Sequence, residues 1–343
     1  MSTVGVSSSP TRPSAQRTSV GLACSQSAHV QVAQAQTVYA PASNGKLDPW
    51  SVLELLKPVT WFAPMWAFAC GVISSGVSFA QTWTFAFAGV LLAGPLVCAM
   101  SQAINDWYDR HVDAINQPDR PIPSGRIPGK MGFYIAILWA CLSLMLAAFL
   151  GTWVFAATCL GLLLAWAYSA PPLRLKENGW WGNAAVGFSY EGLAWFTGAA
   201  AVLAAFPDWR IVLLAILYSV GAHGIMTLND FKAIEGDRQM GVRSLPVQLG
   251  AARAARLACA VMVAPQLVVI GALLVWDEPI YALCIALLLL AQIGLMVRYL
   301  VNTPRLLAEP CRNAAMYNAT GTTLYVAGMM VSAFAVRGLL LTG

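Results

Sequence analysis

The stretch "AINDWYDRHVDAINQPDRPIPSGR", residues 103–126, follows without a break on a long apolar run. At 100° per residue, Asn105, Asp106, Asp109 and Asp113 share one helical face within an arc of about 100°. Carboxylates at the edge of a bilayer are costly unless they are paired, solvated or bound to a cation. The stretch therefore reads as the polar rim of a membrane-embedded site.

The surroundings support that reading. The chain has 343 residues, of which 58% are hydrophobic and 10% charged, with a mean hydropathy of +0.65. Soluble domains carry about a quarter charged residues, so the composition is that of a membrane protein. We read nine apolar segments near spanning length, roughly 59–80, 83–104, 132–150, 152–170, 183–204, 211–228, 254–275, 280–300 and 317–341. They are continuously apolar, which excludes a β-barrel, and several abut through very short turns, which predicts helical hairpins. The expected fold class is an all-α polytopic bundle around a central cavity.

Of the 20 Lys and Arg residues, 18 lie in the N-terminal region or after an even-numbered segment; Arg210 and Arg337 do not. The positive-inside rule then places the N-terminus in the cytoplasm. The net charge of +5 describes topology and needs no nucleic acid. The eight cysteines are scattered without a CxxC pair and read as small buried apolar residues. Residues 1–45 contain no acidic residue and no apolar core of signal-peptide length, and read as a disordered cytoplasmic tail. A transit peptide shares that composition and stays open.

A second polar insertion, "HGIMTLNDFKAIEGDRQMGVRSLPVQLG" at 223–250, parallels the first. Asn229-Asp230 matches Asn105-Asp106, and Arg243 matches Arg120. Two copies in the same sense suggest an internal repeat whose two clusters face one cavity. In a regular helix Asp230 and Asp237 share a face and Glu235 points away. Two facing acidic stripes offer hard oxygen ligands of the kind Mg²⁺ takes together with substrate phosphates. A third loop, "YSAPPLRLKENGWWGN" at 168–183, has two readings: positive-inside anchoring by Arg174 and Lys176, or Lys176 reaching a phosphate with Tyr168 facing the cavity.

Acids and bases at a membrane surface suit a ligand with an anionic head and an apolar tail. Such a ligand is a polyprenyl diphosphate, its leaving group neutralised by Mg²⁺ as the allylic C–O bond breaks. Arg120, Arg126, Arg243 and Lys176 are the expected diphosphate contacts. The Tyr168 ring is placed to stabilise an allylic cation.

These residues resemble the UbiA superfamily of membrane prenyltransferases. Its NDxxDxxxD motif stands complete as Asn105, Asp106, Asp109 and Asp113, and its YSxPP…K signature as Tyr168, Ser169, Pro171, Pro172 and Lys176. The second motif stands as Asp230, Ala233 and Asp237, with Ala233 where many relatives carry an acid. Within the superfamily, the two long blocks resemble the chlorophyll and bacteriochlorophyll synthase branch, and the phrasing "INDWYDRHVDAIN" is most like the bacterial enzyme.

The resemblance implies one nine-helix membrane domain over residues 46–343. It implies Mg²⁺ held by Asn105, Asp106, Asp109, Asp113, Asp230 and Asp237, with Asp106, Asp109, Tyr168 and Lys176 catalytic. The implied reaction moves a geranylgeranyl or phytyl group from its diphosphate to the propionate of (bacterio)chlorophyllide. It implies the inner photosynthetic membrane of a bacterium, or alternatively a plastid thylakoid, with pigment–protein assembly machinery as a neighbour. A propionate is already ionised at neutral pH, which fits the lack of an obvious general base. His223, on the face of Asp230, is a candidate ligand to a pigment. Trp180, Trp181 and Trp195 invite pigment stacking, but interfacial anchoring is the better account of such residues. Two other readings stay open: a UbiA-type enzyme with an aromatic acid or haem acceptor, and a transporter with paired carboxylates.

Overall fold

The computed structural model describes residues 47–342, and the expected tail at 1–45 lies outside them. In chain order the helices are α1 (Pro49–Leu56), α2 (Phe62–Ser74), α3 (Phe79–Leu91), α4 (Ala99–Asn116), α5 (Met131–Leu150), α6 (Thr152–Ser169), α7 (Gly179–Gly187) and α8 (Ala194–Leu203). There follow α9 (Trp209–Asn229), α10 (Ile234–Met240), α11 (Leu245–Leu249), α12 (Ala251–Val275), α13 (Pro279–Met296), α14 (Thr303–Ala308) and α15 (Pro310–Thr342). Three π-helical turns interrupt this series: Leu92–Cys98 joins α3 to α4, Phe188–Leu193 joins α7 to α8, and Val297–Val301 extends α13. No strand occurs among the described residues, so the all-α expectation holds.

Among the described residues seven helical stretches are long and apolar enough to cross a membrane, and eight if the pair Pro49–Thr60 and Phe62–Ser74, bent by 55°, counts as one. The chain is thus an integral membrane protein. The count of nine read from the sequence differs at the segment near 183–204. That segment is helical from Gly179 to Leu203, but it carries Asn183, Tyr190 and Glu191, which dilute its apolar character. The last span also begins earlier than the apolar run suggests, at Pro310.

Local chemistry sets the boundaries. Asp48 caps α1 through the Trp50 and Ser51 amides, with Pro49 at the first helical position. Asp208 caps α9 through Arg210 N at 2.8 Å. Gly151 alone joins α5 to α6 at φ 120°, a backbone conformation that side chains with a Cβ avoid. Pro95 lacks an N–H and sits in the π turn before α4, where its carbonyl accepts from Trp139 Nε1 at 3.0 Å.

The centre of the bundle is an aromatic stack. Trp195 is fully buried on Tyr218, ring centroids 5.6 Å apart, and Tyr218 meets Tyr325 edge-on at 5.3 Å. Every polar tip in the stack has a partner: Trp195 Nε1 donates to Ser74 Oγ, Tyr325 OH donates to Tyr218 O, and Tyr218 OH pairs with Ser332 Oγ. Trp195 is therefore a core residue and does not stack on a pigment. Gln266 and Gln292 join α12 to α13 by reciprocal amide hydrogen bonds of 3.2 and 3.0 Å. Cys70, Cys98 and Cys259 are buried, as expected, whereas Cys141 and Cys284 are exposed.

α2 and α8 touch backbone to backbone. A Cβ on Gly198 would overlap the Phe68 carbonyl, and one on Gly71 would overlap that of Trp195. Such small-residue contacts let helices approach where lipid gives no hydrophobic drive. Replacing Gly198 by leucine should destabilise the bundle by about 3 kcal/mol or abolish folding. Thermal unfolding in detergent reads this directly, against Gly294→Leu, whose Cβ meets nothing within 4 Å.

Candidate active site

The first motif lies on an unbroken helix, α4, which brings its acids to one end of the bundle. There each carboxylate meets cations from separate loops. Asp106, whose side chain is 3% exposed, takes Lys57 Nζ at 2.5 Å and Arg120 Nη1 at 3.3 Å. Asp113 takes the same Arg120 nitrogen at 2.7 Å. Asp109 takes Lys176 Nζ at 2.5 Å and Arg174 Nη2 at 3.5 Å. Asn105 donates to Ser169 Oγ at 3.4 Å, tying α4 to the end of α6. Arg120 and Lys176 thus stand where the sequence put them, at the acidic face.

Lys57 and Arg174 were missed as site residues. Both adopt left-handed backbone conformations, φ 47° and 34°, rare for residues with a Cβ. Lys57 ends α1 just before Pro58, and that turn aims its ammonium at Asp106. Non-glycine residues in this region are strained and cluster at functional sites. Its sequence signal was slight: a lysine before a proline at the mouth of the first apolar segment.

The second motif departs from the regular helix assumed for it. α9 stops at Asn229, a 3₁₀ turn spans Asp230–Lys232, and Ala233 leaves helical geometry at φ −115°, ψ 6° before α10 starts. Asp230 still interacts electrostatically with Asp237. Its Oδ2 accepts from Asn183 Nδ2 at 3.0 Å, and Asn183 comes from the insertion-bearing helix α7. Burial pushes the Asp237 carboxyl up from its usual range. Glu235 pairs outward with Arg238 at 2.9 Å and contributes nothing here.

The loop between α6 and α7 links the two motifs. Arg243 N donates to Glu177 O at 2.8 Å and Gly179 N donates to Arg243 O at 2.9 Å, clipping the second insertion to the loop that carries Lys176. Arg243 was expected to bind diphosphate with its side chain; its backbone does the visible work, and the side chain points to solvent as an exposed residue. Burial pulls the Lys176 ammonium down from its usual value, against the opposing pull of Asp109. Tyr168 lies within electrostatic reach of Asp109, Asp230 and Asp237, between the two motifs. Arg126 is used elsewhere: its guanidinium grips Glu54 at 2.5 and 2.9 Å and the Asp119 carbonyl at 2.6 Å.

Behind this cluster a cavity of about 630 Å³ runs into the bundle. Asn105, Tyr168 and Asn229 line it, while the five motif aspartates stand at its end, outside the lining. Most of the wall is apolar, and Val59 and Phe62, 88% and 57% exposed, place one side of it at the outer surface. His223 is absent from the wall; its Nε2 lies 3.2 Å from the Trp180 carbonyl and its ring beside the Trp180 indole.

Among the described residues no three His, Cys, Asp or Glu side chains form a preassembled metal cage. Mg²⁺ seldom uses one; it takes one or two carboxylates and completes its shell with water and phosphate. The donor set fits that habit. Asp106 Oδ2 is buried without any hydrogen-bond partner, a hard oxygen with an open lone pair.

Comparison with known proteins identifies the family and the fold. Residues 58–319 match the model of the UbiA prenyltransferase family. The bacteriochlorophyll synthase 33 kDa chain of Cereibacter sphaeroides is 56% identical over 85% of this chain and 94% of its own length. The chloroplastic chlorophyll synthase of Oryza sativa subsp. japonica is 40% identical over 84% of this chain and 77% of its own. The fold is shared with a solved digeranylgeranylglyceryl phosphate synthase (TM-score 0.64, 22% identity, 85% of this chain, 98% of that one). It is shared also with a UbiA homologue from Archaeoglobus fulgidus bound to GPP and Mg²⁺ (TM-score 0.62, 22% identity, 80% of this chain, 99% of that one). The chain is a member of the UbiA prenyltransferase family.

Proposed function

We propose that the protein esterifies the propionate of (bacterio)chlorophyllide with a geranylgeranyl or phytyl group taken from its diphosphate. What carries this reading is the 56% identity, over nearly the whole of both chains, to a bacteriochlorophyll synthase. The membrane is that of a phototroph, a bacterial inner membrane by the weight of the similarity, with the site at its cytoplasmic face.

The residues divide the work as follows. Asn105, Asp106, Asp109, Asp113, Asp230 and Asp237 are the residues from which Mg²⁺ would draw its ligands, and it would neutralise the charge gathering on the leaving diphosphate. Arg120, Lys176, Lys57 and Arg174 now share their charge with the carboxylates. With a diphosphate bound, these same groups would turn their N–H donors to its oxygens, and the acidic stripe would stay neutralised. The prenyl tail lies in the apolar part of the cavity. The propionate oxygen attacks the allylic carbon, a new C–O bond forms as the old one breaks, and the electron pair leaves with diphosphate. Tyr168, between the motifs, faces the developing allylic cation with its ring. No base is required, because the nucleophile is already an anion.

Membranes carrying the protein, given bacteriochlorophyllide or chlorophyllide and geranylgeranyl diphosphate, should form a late-eluting pigment ester with Mg²⁺ and none with EDTA. An ester formed only from an aromatic acid or haem would overturn the pigment reading.

Asp106→Asn and Asp109→Asn should each lower turnover by at least about a hundredfold while the protein still accumulates in the membrane. Lys57→Met removes one charge-assisted contact, about 1.5–3 kcal/mol, so kcat/KM for the prenyl diphosphate should fall about tenfold to a hundredfold. The raised carboxyl of Asp237 sets the sign of a pH effect. Protons compete with metal there, so the Mg²⁺ needed for half-maximal rate should rise as pH falls, and less steeply in Asp237→Asn.

A further inference from the structure

The helix that runs from α7 into α8 carries a carboxyl group that none of this chemistry uses. Glu191 lies on the cavity wall and is 6% exposed. Its Oε2 is buried without a hydrogen-bond partner, and the groups within its electrostatic reach, Cys70 and Tyr325, carry no charge. Its neighbour Tyr190 is well served, with its hydroxyl accepting from Gln102 Nε2 at 2.9 Å. The π turn Phe188–Leu193 brings Ser189, Tyr190 and Glu191 to the wall from consecutive positions, which a regular helix would spread over two faces.

Glu191 is not alone. On the same wall α15 presents Asn318 Oδ1 and Thr322 Oγ1, both buried and both without a partner. The Asn318 amide nitrogen is committed to Asn229 Oδ1 at 2.9 Å. Unpaired polar groups in a membrane interior are costly and are kept where a ligand completes them.

The position of this group describes the ligand. A Cβ on Gly192 would meet the Ser219 hydroxyl of α9, so the π turn packs at the level of Ser219. At 1.5 Å per residue that is about 16 Å along α9 from Asp230. A prenyl chain is hydrocarbon and has nothing to offer Glu191 or Thr322. A flat conjugated acceptor, its propionate at the acidic cluster and its far edge deep in the cavity, presents ring carbonyl oxygens at that depth.

We propose that Glu191 forms the recognition subsite for a conjugated ring carbonyl of the acceptor, its carboxyl O–H donating to the oxygen. This rests on the pigment reading above. In an apolar wall with no cation beside it, a carboxyl serves as a donor. Glu191 acts on acceptor binding alone and takes no part in breaking the prenyl C–O bond.

The test uses the full chain in lipid, with Glu191→Leu and Glu191→Gln. Glu191→Leu should raise KM for the pigment about tenfold and leave KM for the prenyl diphosphate unchanged. Glu191→Gln keeps a donor of the same shape and should stay within about threefold of wild type. A pigment whose ring carbonyl is reduced to a methylene should be disfavoured about tenfold by wild type and no longer disfavoured by Glu191→Leu. Should Glu191→Leu fail to accumulate, the wild type and Glu191→Gln assayed with the two pigments decide the question. Unchanged pigment KM in Glu191→Leu, or equal use of both pigments by wild type, overturns the subsite. Wild type that esterifies no pigment overturns the subsite and the reading beneath it together, so the two failures are distinguishable.

Discussion

Everything at the working end of this bundle depends on keeping carboxylates ionised in a place that resists charge. Asp106 is almost fully buried, and a lone carboxylate there would be neutralised by protonation or would pull the helix end into water. The chain meets the cost with cations drawn from three separate loops: Lys57 before α2, Arg120 after α4, and Lys176 with Arg174 after α6. Each loop is held for that purpose by contacts that carry no chemistry of their own. Arg126 on Glu54 fixes the segment before the first span, and the backbone of Arg243 fixes the segment around Lys176. The two polar insertions therefore form one assembly, although they lie more than a hundred residues apart.

That assembly sits over an apolar cavity whose wall reaches the outer surface at Val59 and Phe62. Both substrates of the proposed reaction are greasy molecules with one anionic end. A cavity of this shape sorts them by polarity: charged ends to the basic and acidic rim, apolar bodies inward. Catalysis then needs little beyond alignment and charge stabilisation, which agrees with a site furnished with carboxylates, ammonium and guanidinium groups and no nucleophilic pair.

The all-helical class and the first motif were legible because both rest on periodicity. Apolar runs of spanning length declare themselves, and Asn105, Asp106, Asp109 and Asp113 lie on a helix that stays regular. The second motif was only half legible. Its acids were found, but the turn at Asp230–Lys232 and the break at Ala233 were not, since nothing in "NDFKAIEGD" contains a glycine or proline where the helix changes. The segment carrying Glu191 was read as a plain span because a π turn has no compositional mark. Lys57, Asn183 and Arg174 were missed for a common reason: their partners are remote in sequence, and only the folded chain brings them together. His223 illustrates the converse, a residue that helical arithmetic put on the right face and that packing gave to a backbone carbonyl.

The central claim is that the two acidic motifs and their cations form a single metal–diphosphate site. Titration of an unreactive prenyl thiolodiphosphate into the purified protein, with Mg²⁺ or with EDTA, tests it most directly. Tight binding that needs Mg²⁺ and is lost in both Asp106→Asn and Asp230→Asn is the predicted result. Wild-type affinity in Asp230→Asn, or binding indifferent to Mg²⁺, would contradict it.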